Sequence, residues 1–580
     1  MVGAVAPAKT GAMHVAKIVT RRNGHEWASY LVRQSFREDG KVKHRTLANL
    51  SALPPTAIDA VRRVLQGDMS AAPSKIVIER SLAEGSVVAV LGTLRQLGLE
   101  HMVSPHRSRE RDLCVAMIAS RLLAPDTKLA TTRGWESSTL ADRLGVAGAD
   151  ENELYAAMDW LVARQDRIER KLADKHLDSG SLVLYDLTSS YMEGTHCSLA
   201  KRGYSRDGKK GTLQIEYGLV TDHEGRPIAV EVFEGNTADP ATVATQVTKI
   251  KDRFGLRDVV LVGDRGMLTS ARIEDLKTVG GLEWISSLRA PQIRALVEGG
   301  TLQLTLFDQR NLAEIRDPAF PGERLVVCKN PALAEERARK REDLLCATAA
   351  KLAPIGDAVA AGRLQGEAKI GLRVGAVLNK YKMGKHFELV ITDDRLVVTR
   401  QAAAIAAEAA LDGLYVIRTS VAEEKMSSAD VVRAYKSLAK VERAWRAFKA
   451  VDLHVRPIHH RLDGRVRAHI LLCMLAYYVQ WHLERAWAPL LFRDEERPAH
   501  ANPVAPAQRS PAATHKAQTQ LTTDDTVVHS FRTLLADLAT LTRNRVVLQG
   551  AADAGPLDIT ATPTPLQHRA LSLLGLASTP

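Results

Sequence analysis

Hydrophobic positions along this chain change period several times, and each change marks a segment. Past a start rich in Pro, Ala and Gly that is expected to lack regular structure, Glu26 to Ser51 reads as two β-rich runs flanking Asp39-Gly40. That dipeptide favours a two-residue hairpin turn. A two-stranded ribbon is not stable alone, so it must pack on a neighbour or a ligand. From Ser86 to about Asp178 apolar residues recur every three or four positions, as in RDLCVAMIASRLL and ELYAAMDWLVARQDRIERKL, and predict helices. Pro125-Asp126 and Gly145 to Gly148 interrupt them.

The pattern then shortens to strands. Ser181 to Asp186 (SLVLYD) is a buried-strand run ending on an acid, with a polar turn expected at Thr188-Ser189-Ser190. A basic loop, KRGYSRDGKKG, leads into TLQIEYGLVT and PIAVEVFEG, joined by a turn at Asp222 to Pro227. A helix is predicted from Pro240 to about Arg253 with Asp239 as its N-cap. Asp258 to Gly263 (DVVLVG) is apolar throughout, as in a strand covered on both faces, and it ends on Asp264. After a helix capped by Thr269 or Ser270, Glu283 to Leu288 makes a fifth strand. The order βββαβαβ is that of the ribonuclease-H-like fold, in which the first and fourth strands are neighbours. Acids on those strands would lie close enough to share metal ions roughly 3.5 to 4 Å apart.

One later helix carries an acid out of place. In Ser427 to Lys449, Ser427-x-x-Asp430 resembles a capping box, and Val431, Tyr435, Leu438, Val441, Trp445 and Phe448 fall on one broad face. Glu442 falls among them. An inward carboxylate is costly unless a metal or a cation compensates it. A boundary Glu reaching solvent, or a structural salt bridge, is the plain alternative. The stretch between Asp264 and this helix is longer than a direct connection needs, so residues 290–410 read as a mixed α/β insertion. LDGLYVIRTS would then return the chain to the sheet. Beyond Lys449 come His454, Arg456, His459, His460 and Arg461, read as phosphate-contact or structural residues. An amphipathic helix over Arg465 to Arg485 is expected to close the core, followed by a linker over Arg497 to about Thr523 and a tail without an assigned role.

Composition narrows the function classes. Lys plus Arg exceed Asp plus Glu by 79 to 67, and the pI near 9.4 suits a polyanionic partner, nucleic acid before membrane. The five cysteines show neither CxxC nor zinc-ligand spacing, which points to a reducing compartment. No apolar run is long enough to span a bilayer and no secretory h-region opens the chain, so a soluble cytoplasmic protein is expected.

Four blocks in order, Tyr185-Asp186-Leu187-Thr188-Ser189, Glu234-Gly235-Asn236-Thr237, Gly263-Asp264-Arg265-Gly266 and Tyr435/Glu442/Lys449, resemble the DDE transposases of bacterial insertion sequences. The match is to the insertion-sequence-four-like branch, whose last block is Y-x2-R-x3-E-x6-K. Here Leu438 stands where its arginine is expected. The resemblance covers roughly Ser181 to Leu288 and Leu411 to Arg485. It implies an α/β, ribonuclease-H-like catalytic core (181–289 and 411–490) interrupted by the insertion (290–410). Around it lie a basic β-hairpin module (1–80), a helical, DNA-binding domain (81–180) and a linker with tail (491–580). Asp186 would bridge two Mg²⁺ ions, with Mn²⁺ as a substitute, and Asp264 and Glu442 would each hold one. Tyr435, Lys449, Arg265, Arg446, Lys209 and Lys210 would grip DNA, and Trp284 would stack on an unpaired base or else belong to the core. The partners implied are double-stranded DNA, as terminal inverted repeats and as target, and a second copy in a synaptic complex, with the protein at the nucleoid. A related nuclease without strand transfer, or a catalytically silent DNA-binding relative, are the competing readings.

Overall fold

The structure, a computed structural model, describes the whole chain except residues 1–9, 23–24, 39–40, 68–74, 278–280, 304–306, 498–501, 550–554 and 577–580. It divides into two units, one of Met1–Gly92, Leu129–Ala149 and Ser530–Pro580, the other of Thr93–Lys128 and Asp150–His529. The helical segment expected over 81–180 is therefore shared between both units instead of forming one domain.

In the first unit, β1 (Thr10–Arg22), β2 (His25–Glu38) and β3 (Lys41–Asn49) form an antiparallel sheet in that order. The expected hairpin is β2–β3, and its Asp39-Gly40 turn lies outside the described residues. The start is not structureless from Thr10 on. Its run MHVAKIVTRR has the alternation of a strand, and pairs such as Lys17 with Tyr30 give the ribbon the third strand it needs. β4 (Lys75–Ala83) pairs with a strand at Thr542–Gln549, which pairs in turn with Leu557–Thr560. The tail thus completes a sheet begun in the N-terminal part. Beside it Glu84 is buried, yet Arg143 and Thr139 outweigh burial and hold its carboxyl below the usual range.

The second unit is built on nine strands: β5 (Leu182–Tyr191), β6 (Lys201–Arg202), β7 (Leu213–Asp222), β8 (Pro227–Glu234), β9 (Val259–Val262), β10 (Leu282–Ser287), β11 (Leu312–Ile315), β12 (Arg324–Lys329) and β15 (Leu414–Thr419). The two strands between, β13 (Phe387–Ile391) and β14 (Leu396–Arg400), make a separate hairpin. The nine run β11-β12-β15-β10-β9-β5-β7-β6, with β8 also on β7, and only the pairs β5–β9 and β9–β10 are parallel. The expected adjacency of the first and fourth core strands is present. β9 is buried at every position, as its unbroken apolar run requires.

Several expectations are corrected. β5 does not turn at Thr188-Ser189-Ser190 but runs on to Tyr191, because β7 pairs with it along its length. The two buried serine hydroxyls there are satisfied, Ser189 Oγ accepting from the Arg206 amide at 3.1 Å and Ser190 Oγ sharing a 2.8 Å hydrogen bond with Tyr217. The helix Asp239–Thr248 is capped by Ala238, and Asp239 turns to Arg206 at 2.7 Å instead. The segment expected as a 290–410 insertion gives β11 and β12 to the sheet, since β15 exposes an edge that the apolar RLVVCK run can pair with. What lies outside the sheet begins with the helix Pro331–Ala360 and includes Glu367–Tyr381, packed around Leu352, Val359, Leu364, Ile370 and Val374. The helix Asp463–Ala486 is buried around nearly all of its middle against β8 and the helices Arg109–Leu123 and Glu151–Val162, so it is a core helix and not an amphipathic cover. The expected linker carries a helix, Pro511–Thr519, and its Lys516 is buried while donating to Ala488 O at 3.0 Å.

A charged knot ties the layers together. Lys249 donates to Glu169 at 2.9 Å and Glu231 at 3.0 Å, with Glu169 fully buried, and Arg467 reaches Glu231 at 3.1 Å. Among the described residues no helix is long and apolar enough to cross a membrane.

Candidate functional site

The parallel register of β5 and β9 pairs Leu184 with Val262, so Asp186 and Asp264 stand at matching positions two residues further on. Asp186 is half-buried. Its Oδ1 accepts from the Leu187 amide at 2.8 Å and its Oδ2 from Trp445 Nε1 at 3.0 Å. Burial, reinforced by the charge of Asp264, pushes this carboxyl up to about 7 despite those two donors. Asp264 is exposed just past β9, where its Oδ1 accepts from the amides of Gly266 at 2.8 Å and Met267 at 2.9 Å. A Cβ at position 266 would stand 3.2 Å from that oxygen, which favours glycine there.

Glu442 is not where the periodicity puts it. The expected continuous helix is two helices, Ser428–Lys436 and Leu438–Arg446, separated at Ser437. In the second the buried residues are Val441, Ala444 and Trp445, and Glu442 is exposed. It is nonetheless near the pair: the Tyr435 hydroxyl, raised mainly by burial, also feels the charges of Asp264 and Glu442. Among the described residues no three His, Cys, Asp or Glu side chains form a group that could hold a metal ion. Asp186 and Asp264 are brought together, the charge of one acting on the other, while Glu442 is exposed on its own short helix.

The entry to these helices is fixed. Ser427 caps the first by accepting from the Asp430 amide at 3.2 Å. Arg324, paired with Glu314, donates to Val421 O at 2.9 Å and Met426 O at 3.0 Å in the loop before it. Tyr435 bonds Ser287 Oγ at 2.7 Å and lines a cavity of about 210 Å³ together with Arg265 and Arg337.

The cations sort into two groups. Arg265, Arg446, Lys209 and Lys210 are exposed, Lys209 lying over the Tyr191 ring at 5.4 Å. Lys449, expected as a free phosphate contact, instead donates to Asp207 at 2.9 Å, and Arg456 binds the same oxygen. The Asp207 side chain is 1 % exposed, and burial lowers the Lys449 ammonium while Asp207 opposes that. Trp284 is a core residue, 1 % exposed beneath the Arg418 guanidinium, and has no face for a base.

Sequence reasoning missed Trp445 as a partner of Asp186, although it lies three residues beyond Glu442. It also missed Asp207, the acid inside the basic loop, and Glu216, whose carboxyl burial pushes up to about 7 against the pull of Arg206.

A sheet that sets two aspartates side by side, one on a strand and one just past the end of its parallel neighbour, with exposed basic residues in the loops around them, has the character of a protein that acts on a polyanion. Residues 178–479, more than half of the chain, match the family model of the transposase DDE domain, and residues 16–74 match the N-terminal domain of the IS1634 family transposases. The chain belongs to the DDE transposase family and is an insertion-sequence DNA transposase. Among solved structures it is similar to the piggyBac transposase synaptic complex with hairpin DNA, at 8 % identity and a TM-score of 0.33, over 70 % of this chain and 76 % of that one. No curated protein matches.

Proposed function

We propose that this transposase hydrolyses the ends of its insertion sequence and joins the freed 3′-hydroxyl to target DNA, on a ribonuclease-H-like core. Asp186, Asp264 and Glu442 are the proposed carboxylate set. The observation that carries this reading is the Asp186–Asp264 pair, one on β5 and one just past the end of the neighbouring parallel strand β9, with the Asp186 carboxyl pushed up to about 7 by burial and by the charge of Asp264. A half-buried carboxyl whose charged form is opposed by an exposed carboxylate beside it fits a cation that would offset the repulsion, and an all-carboxylate oxygen set suits Mg²⁺ or Mn²⁺. Two such ions, when bound, activate an oxygen nucleophile and stabilise the leaving oxyanion.

The chain's own residues do the rest. Trp445 fixes the Asp186 oxygen turned towards it, and the Gly266 and Met267 amides fix Asp264. Glu442, exposed on its separate short helix, completes the set from the side on which DNA enters. Tyr435, Glu442 and Lys449 keep the spacing of the insertion-sequence-four-like branch. Leu438 removes its arginine, so exposed Arg265 and Arg446, with Lys209 and Lys210 in the loop, supply positive charge beside the cut. Lys449 joins them when a phosphate draws it from Asp207. The partners are the terminal inverted repeats, target DNA and a second copy of the chain, at the nucleoid in the cytoplasm.

Asp264→Ala should keep terminal-repeat binding in a gel shift and lose cleavage. Undiminished cleavage would remove Asp264 from the site. With a pre-cut end, target plasmid and Mn²⁺, joined products are expected, and hydrolysis alone would favour a nuclease without strand transfer.

A further inference from the structure

The second unit holds a cavity of about 220 Å³ that the proposed chemistry does not use. It lies where the end of the helix Arg109–Leu123 and the following loop meet the segment His454 to His469. At about 30 Å³ for one water, there is room for a tetrahedral oxyanion with a few waters.

Its lining is cationic and buried. Lys128 is 4 % exposed, and among the described residues no carboxylate is paired with its ammonium, whose charged neighbour is Arg121. Arg121 is 7 % exposed, and its guanidinium makes a long 3.5 Å bond to Leu453 O, with no carboxylate partner among the described residues. Burial, aggravated by Arg121, pushes the Lys128 ammonium down to about 7. His460 is pushed down to about 3 by burial and by these two cations, so it stays neutral and keeps an N–H to donate. The acid at the rim, Asp126, is exposed and takes its own bond from the Thr127 amide at 2.7 Å. Proteins bury cations in pairs with anions, because an unpaired buried charge is strongly destabilising. Two such basic groups around one cavity, with no anion of the chain between them among the described residues, leave a place for an anion that arrives from outside. Arg456 lines the same cavity and, through Asp207, is joined to Lys449 of the proposed site.

We propose that this cavity binds a phosphate group through Lys128 and Arg121, the chemistry shared by a phosphodiester of the DNA backbone and a free phosphate ion. The DNA source rests on the transposase reading, whereas the phosphate site itself does not.

The test uses the full chain and Lys128→Met, which keeps the stem and removes the ammonium. Calorimetry with inorganic phosphate should show binding by the wild type and at least tenfold weaker binding by the variant. For a duplex, the logarithmic dependence of affinity on salt should lose about 0.9 in slope, the share of one phosphate contact. In phosphate-free buffer the variant should melt at the same temperature as the wild type or higher, since it discards an unpaired buried charge. Loss of slope assigns the DNA phosphodiester. Weaker phosphate binding with an unchanged slope assigns the free ion. Phosphate binding and slope both unchanged, or a lower melting temperature that reveals a protein partner for the amine, overturns the proposal. End cleavage by the wild type, followed in parallel, separates failure of this site from failure of the transposase reading.

Discussion

Asp186→Asn should stabilise the metal-free protein, by an amount that grows with pH. The Asp186 carboxyl stands at about 7 instead of its ordinary 3.8, because of burial and the charge of Asp264. Between those two values the unfolded chain has released a proton that the folded chain keeps, so stability falls as pH rises. Below 3.8 both states are protonated and nothing is lost; above about 7 the loss is complete. At about 1.4 kcal/mol per pH unit the ceiling is about 4 kcal/mol, and water at the outer edge of a half-buried carboxylate reduces it to about 2 to 3 kcal/mol. The substitution also loses something. Leu187 N and Trp445 Nε1 both donate to the carboxylate, and an amide offers one oxygen, so one donor goes unmatched at about 1 kcal/mol. The variant should therefore be about 1 to 2 kcal/mol more stable at pH 8 and slightly less stable at pH 4. Urea unfolding in EDTA at both pH values measures the difference. A variant less stable than the wild type at pH 8, or a difference that ignores pH, would refute the electrostatic account of the site.

Two other perturbations test separate parts of the structure. Trp445→Phe removes the N–H to Asp186 but keeps a ring against Tyr217 and Phe448, so end binding should persist. Cleavage should fall roughly tenfold, the worth of about 1.5 kcal/mol, and need more Mn²⁺ for half-maximal rate; an unchanged Mn²⁺ requirement would make Trp445 merely a packing residue. Lys249→Met leaves Glu169 buried without its cation and should destabilise the second unit by about 3 to 5 kcal/mol. Adding Glu169→Gln should recover part of that in the urea midpoint, and a loss below about 1 kcal/mol would show that the knot is not the tie between layers.

The strands nearest the site were legible because each is a short apolar or alternating run with its partner close by in sequence. Thus β5, β7, β8, β9 and β10 lie in the expected order, and the register alone carries Asp186 to Asp264. What escaped was long-range pairing. Nothing local in RLVVCK distinguishes a strand of an inserted domain from one that extends the main sheet; only β15, which offers it an edge, decides. The strand Thr542–Gln549 likewise finds β4 at the far end of the chain, and no periodicity encodes that. Charged residues were legible as composition but not as partners. The basic loop reads as five free cations, yet Arg206 is drawn inward to Glu216 and Asp239, and Asp207 within it holds Lys449 and Arg456.

The misplaced Glu442 has a geometric cause that bears on how the site works. At about 100° per residue, Glu442 continues the stripe that Val431, Val432 and Ala434 bury in the first helix. Past Ser437, whose amide divides between Arg433 O and Ala434 O, the buried stripe moves by roughly 110° onto Val441, Ala444, Trp445 and Phe448. A projection across one unbroken helix therefore places Glu442 inside together with Val441, Trp445 and Phe448, whereas past the break those three stay buried and Glu442 is left outside. The tryptophan, and not the third acid, is what this helix presents to Asp186. Two acids are thus set by strands and held by fixed donors, while the third sits exposed on a separately oriented helical turn. That division suits the proposed reaction, because a carboxylate locked into the core would close the face through which a duplex must approach the Asp186–Asp264 pair.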